Sequence, residues 1–168
     1  MSAAIDILTD GFDRVHDNVG AVLDGLTTEQ LLARPTPRAN SVAWLVWHLS
    51  RVQDSHIAGL LDTEQVWHSE GFADRFALPY DASATGYGQS PEEVGAFRVA
   101  DPALLREYHE AAHELTLTAL KGLTDQDLGE VIDRSWDPPV TKAVRLVSVV
   151  DDAAQHVGQA AYVRGLVT

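Results

Sequence analysis

Cysteine is absent from all 168 residues. That excludes a disulfide framework, a cysteine nucleophile and any thiolate metal site, so a bound metal has to be held by imidazole and carboxylate. Cations are scarce as well: 12 Lys and Arg stand against 25 Asp and Glu, a formal net charge of -13. With no run of Lys and Arg to make a local basic face, such a chain repels a phosphate backbone, and a nucleic-acid partner is excluded. The acids are scattered and never form a block, which reads as a solvated surface. No apolar run approaches the roughly 18 residues that a membrane-spanning helix needs, so no membrane partner is expected. The start, MSAAIDILTDGF, lacks the basic residues and unbroken apolar stretch of a secretory signal, and a cytoplasmic location is expected.

Several reaction classes lack their motifs. There is no serine nucleophile elbow, no glycine-rich phosphate loop and no dinucleotide fingerprint; Gly86-Tyr87-Gly88 lies in an irregular stretch with no strand before it. Phosphoryl and hydride transfer therefore drop away.

What is present is helical periodicity. The length fits a single domain over residues 1–168 with one core. Ile5, Leu8, Phe12, Val15, Val19, Val22, Leu23 and Leu26 make one apolar stripe, predicting a first helix over 4–26. Thr28 can cap a short turn through Leu32, and Pro35 and Pro37 then break the pattern. Ser41 caps a second helix running to about Leu61, whose inward face reads Trp44, Leu45, His48, Leu49, Val52 and His56. From 62 to 99 periodicity is poor, glycines and prolines alternate with aromatics, and such a long connection is usually functional. Asp101-Pro102 opens a third helix to Gly122, Leu128 to Ile132 can be extended, and a fourth helix runs from about Lys142 to Arg164, ending at Gly165, with Val144, Val147, Val150, Ala154 and Val157 as core candidates. The fold class is all-α, a four-helix bundle with a long irregular connection between helices two and three.

Bundles build metal sites from side chains that face one another across the core. On helix four Asp152 and His156 stand at i and i+4, one turn apart, where both can reach one ion. A carboxylate on a stretch as apolar as 146–157 is costly to bury without compensation, and a divalent cation supplies it. His48 is the partner from helix two. A rival is the segment His109-Glu110-Ala111-Ala112-His113, which has the H-E-x-x-H spacing of zinc metalloproteases with Glu110 as base. Glu107, Glu110 and Glu114 beside it predict instead a polar face turned to water. His16 and His68 have no partners by spacing.

The stretch from Asn40 to His56, together with Asp152-Ala-Ala-Gln-His156-Val-Gly-Gln159, resembles the DinB-like superfamily, and most closely its mycothiol S-transferase-like subgroup, over nearly the whole chain. The resemblance implies a four-helix bundle with one divalent metal, zinc before nickel, iron or manganese, held by His48, Asp152 and His156. Many members carry histidine where Asp152 stands; the mycothiol-dependent maleylpyruvate isomerase branch has a carboxylate there. It further implies a metal-dependent thiol S-transferase that joins a low-molecular-weight thiol, mycothiol first, to a small electrophile, with the thiol deprotonated at an open metal position. Arg38, Arg51, Trp44 and Trp47 lie near that site by sequence. Relatives pair through helices, which implies a homodimer. Two other readings use the same chain: a non-catalytic metal-binding stress protein, if His56 closes the coordination sphere, and a metal hydrolase built on 109–113.

Overall fold

The computed structural model describes residues 2–168. Its elements run α1 (Ala3–Leu23), α2 (Thr28–Leu32), α3 (Val42–Leu61), α4 (Val66–Ser69), α5 (Phe72–Phe76), α6 (Pro91–Ala96), α7 (Ala103–Gly122), α8 (Asp125–Leu128), β1 (Val131–Asp133), β2 (Val140–Thr141) and α9 (Lys142–Val167). Each long helix begins where a side chain relieves the unpaired amides of its first turn. Ser2 accepts from Ile5 N, Ser41 from Trp44 N and Thr141 from Val144 N, and Asp101 accepts from Ala103 N at the start of α7.

The four long helices form the expected bundle. α3 packs along α7 and α9, and α1 packs along the same two from the opposite corner. Two apolar clusters fill the interior: one, with Val15, Val19, Trp44, Leu45, Trp47, Tyr108 and Val157, and another, with Ile5, Phe12, Ile57, Leu120, Leu146 and Val149. Between them the four helices contribute a polar belt that includes Ser50, Gln53, His113, Thr116 and Asp152. Within it Gln53 Nε2 donates to Thr116 Oγ1 at 2.8 Å and Ser50 Oγ donates to the Val46 carbonyl at 2.8 Å. Among the described residues no helix is long and apolar enough to cross a membrane.

Several expectations are corrected. α9 does not stop at Gly165 but continues through it to Val167. Val144 and Val147, expected in the core, are 52% and 58% exposed; the buried face of α9 is Leu146, Val149, Ala153, Val157, Ala160 and Val163, because the bundle contacts lie on the side of the helix away from them. The extended segment is shorter than 128–132: Leu128 ends α8, and β1 pairs with β2 as a two-stranded ribbon. His109 and His113, expected on a polar face, are 1% and 6% exposed. They face α1, where His16 stacks on both, while Glu107, Glu110 and Glu114 share the solvated side of α7 with Arg106, Thr118 and Lys121.

The connection from 62 to 99 is ordered by a buried ionic knot on α3. Asp54, fully buried, accepts from Val66 N at 3.0 Å, Trp67 N at 2.9 Å and the Tyr108 hydroxyl at 2.9 Å. Burial raises its carboxyl above the ordinary value, opposed by the Trp67, Tyr108 and Val66 donors and by Arg51. Arg51, also fully buried, donates to Gln65 Oε1 at 2.7 Å, to the Ala84 carbonyl at 3.1 Å and to the Tyr108 hydroxyl at 3.3 Å, and lies over the Trp67 ring at 4.7 Å. The start and the middle of the connection are thereby tied to one turn of α3.

Two predictions follow from the buried polar groups. In Arg51→Met, Asp54 keeps its burial but loses its cation, which costs about 3–5 kcal/mol; urea unfolding should show that loss, and amide exchange should accelerate across 81–86. Burial, then the neighbouring His16 and His113, pushes His109 down to about 3. The unfolded chain thus takes up protons below about pH 6.5 that the folded chain refuses. Stability is complete above that pH and falls by up to about 1.4 kcal/mol per unit as the pH drops toward 3. Urea midpoints of chelator-treated protein at pH 7 and pH 5 should show the loss, and His109→Gln should flatten it.

Candidate metal centre

The seam between α3 and α9 brings together the residues expected there. One donor atom each from His48, Asp152 and His156 lies within 4.8 Å of the other two, and among the described residues this is the one such group of three or more. His48 is buried at 5% exposure, while Asp152 and His156 are half-buried. The i,i+4 spacing on α9 sets His156 Nε2 3.5 Å from Asp152 Oδ1, and the rings of His48 and His156 meet edge-on at 4.7 Å.

The orientation of His48 is fixed from outside the bundle. Its Nδ1 lies 2.6 Å from the Thr85 carbonyl, an acceptor only, so Nδ1 carries the proton and the Nε2 lone pair is free. The Trp44 ring stacks on it at 4.7 Å and 18°, held in turn by a 2.8 Å hydrogen bond from Trp44 Nε1 to Gln89 Oε1. The chain reaches His48 through Gly86, at φ 93°: a Cβ there would stand 2.7 Å from His48 Nδ1 and 3.0 Å from both Trp44 and Trp47. Only glycine meets both the backbone conformation and the space. Two carbonyls before Thr85, at Ser83 and Ala84, are held by Arg51. On α9, His156 Nδ1 is 3.3 Å from Gln159 Oε1, which leaves Nε2 on the side of Asp152.

The electrostatics suit a cation. Burial lowers the His48 pKa, with the Thr85 carbonyl opposing and His156 and Asp152 acting in opposite senses. Burial alone would raise Asp152, but the hydrogen bond from His156 and the charges of His156, His48 and His56 bring it below the ordinary carboxylate value. His156 is raised, first by its hydrogen bond to Asp152 and against its own burial. Asp152 Oδ2 is buried without any partner. A neutral imidazole lone pair and a depressed carboxylate that retains an unsatisfied buried oxygen, grouped with a second imidazole, match the donor set of a divalent metal.

His48 and Asp152 open on a cavity of about 470 Å³ whose wall includes Val52, Ser55, His56, Thr85, Tyr87 and Ser148. Neither lysine nor arginine lines it. His56 does not join the donor group: its Nδ1 lies 2.7 Å from Arg145 Nη1, a donor only, so His56 carries its proton on Nε2. Closure of the site by His56 is therefore not built. Of the neighbours expected near the site, Trp44 touches His48, Trp47 is buried in the aromatic core, Arg51 is fully buried beneath the connection, and Arg38 is exposed on the proline-rich loop. The Thr85 carbonyl, Gly86, Gln89 and Arg145 were not singled out by sequence. For the first three the signal was the Gly86-Tyr87-Gly88 pair inside an aromatic-rich stretch, a mark of close backbone approach; Arg145 carried none.

Comparison with known proteins agrees with this geometry. A search among curated proteins gives no match. A solved structure described as the conserved protein of locus from Enterococcus faecalis is 36% identical, with a TM-score of 0.93, covering 99% of this chain and 98% of that one. The family model described as mycothiol-S-transferase matches residues 7–168, and with a match of that extent the chain belongs to the mycothiol S-transferase family, within the DinB-like superfamily.

Proposed function

We propose that this protein is a metal-dependent thiol S-transferase that joins mycothiol to a small electrophile at a zinc ion held by His48, Asp152 and His156. The observation that carries the reading is the convergence of three donors, one of them with an orphaned buried oxygen, beside a cavity large enough for a small organic molecule whose wall includes two of them, His48 and Asp152. Family membership supports the transferase class. Two imidazoles and a carboxylate suit zinc, with nickel, iron and manganese as competitors.

A divalent ion there would favour the thiolate form of a bound thiol at neutral pH. The remaining work falls to the chain. Thr85 holds the His48 tautomer, and Gln159 accepts from His156 Nδ1 so that Nε2 is the ligating nitrogen. His56, with its tautomer set by Arg145, presents an Nε2 donor to the cavity. The sulfur lone pair forms the new bond to the electrophilic carbon, the leaving group departs with its bonding pair, and the thiol proton passes to solvent. The choice of thiol is favoured by the wall: hydroxyl-bearing Ser55, Thr85, Tyr87 and Ser148 without a lining cation suit a sugar-like, uncharged thiol such as mycothiol over a dicarboxylate such as glutathione.

Two outcomes test this. Zinc-loaded protein should conjugate mycothiol to monobromobimane faster than the uncatalysed reaction, and His48→Ala or His156→Ala should lose the metal and more than about 100-fold of the rate, the scale of losing a Lewis acid worth several kcal/mol. Conjugation unchanged in the metal-free variants would overturn the reading. Because the raised His156 must shed its proton to ligate, zinc affinity should fall as pH is lowered from about 8 to about 6, with binding releasing protons in proportion. Calorimetry in buffers of different ionisation enthalpy measures that release.

A further inference from the structure

Across the bundle from the α3–α9 seam lies a second group of histidines. His16 of α1 stacks on His113 of α7 at 4.4 Å and 13°, and on His109 of α7 at 5.5 Å and 14°. Each ring has one nitrogen engaged, and the partner decides where the proton sits. His16 Nε2 is 3.3 Å from Glu110 Oε2 and His113 Nε2 is 3.1 Å from Asp13 Oδ1, carboxylates that only accept, so both rings carry hydrogen on Nε2. Ser50 Oγ spends its hydrogen on the Val46 carbonyl, so it accepts from His109 Nδ1 at 3.0 Å, and His109 carries hydrogen there. The nitrogens left over are His16 Nδ1, His109 Nε2 and His113 Nδ1. All three are bare lone pairs, buried from solvent and without any hydrogen-bond partner.

Three unpaired acceptors in one buried pocket are costly unless something electropositive joins them. Their outer partners are those of metal-ligating histidines, whose second nitrogen is held by a carboxylate or another acceptor that fixes the tautomer. The flanking Asp13 and Glu110 bring two negative charges, which balance a divalent cation on three neutral ligands. We infer that His16, His109 and His113 form a second divalent-metal site, which clips α1 to α7.

The donors selected are all imidazole, which favours zinc, nickel or copper over calcium or magnesium. As the rings stand, these lone pairs are not gathered within 4.8 Å as those of the first site are. Ligation therefore requires His16 to turn its Nδ1 toward the other two; its side chain is 29% exposed, the most open of the three, and marks the way in for the ion. Glu110 acts in this site through His16, as a positioning residue, and not as the base of a hydrolase.

The test is zinc binding by His48→Ala/His156→Ala protein, which lacks the first site, followed by elemental analysis after gel filtration. The double variant should retain about one zinc per chain and gain thermal stability with added zinc. Adding His16→Asn should abolish that binding, and adding Glu110→Gln should weaken it roughly 10–100-fold. A folded double variant that binds no zinc, or one whose binding survives His16→Asn, overturns the proposal. Should the double variant fail to fold, the count is made on the otherwise native protein: about two zinc ions falling to about one in His16→Asn supports the site, and an unchanged count overturns it. Loss of thiol transfer without loss of this second ion would overturn only the function proposed for the first site.

Discussion

The Arg51–Asp54 knot is the constraint on which the rest of the structure depends. Two charges taken wholly out of water are tolerable only when every hydrogen-bonding position is met, and here the partners come from a segment that has little periodic structure of its own. Asp54 accepts the first amides of α4, and Arg51 holds carbonyls midway along the same connection. The connection is therefore anchored by α3 from its start to its middle, beside local devices of its own such as the Ser90–Glu93 capping box of α6. Its next carbonyl, Thr85, is the group that orients His48.

That arrangement explains what could and could not be read from the chain. The long helices were legible because their stripes, caps and breakers agree: Ser41 and Leu61 bound α3 where the pattern said. The pairing of Asp152 with His156 was legible because i,i+4 spacing on α9 is a local property. Side chains set by long-range packing were not. Val144 and Val147 continue an apolar pattern but sit on the wrong side of α9, and nothing local distinguishes them from Leu146. Likewise His109 and His113 share a stretch with three glutamates, and only the approach of His16, more than ninety residues earlier in the chain, shows which way the rings turn. Arg51 looked like a residue of the site because it follows His48 by three, yet it points beneath the connection.

The polar belt places chemistry at mid-height in a bundle that is otherwise apolar at both ends. Each member is positioned by a neighbour that it does not resemble: Ser50 is tied to its own helix and receives His109, Gln53 spans to Thr116, and Asp152 meets His156. Such a layer contributes less to stability than an apolar one of the same volume would. Its value lies in fixing which faces meet, since a helix rotated or shifted by a turn would leave these groups unpaired.

The carbonyl that grips His48 belongs to a segment with a conformation of its own to lose, so ligand and lid are coupled in both directions. Anything that draws the His48 lone pair into coordination favours the closed connection, and by reciprocity a disordered connection weakens coordination. With a metal on His48, the stretch around Gly86 would thus report occupancy: metal-free protein would expose this segment more often to proteases. A cell that degrades opened chains would then remove the empty form first, selecting for the loaded one without a dedicated chaperone.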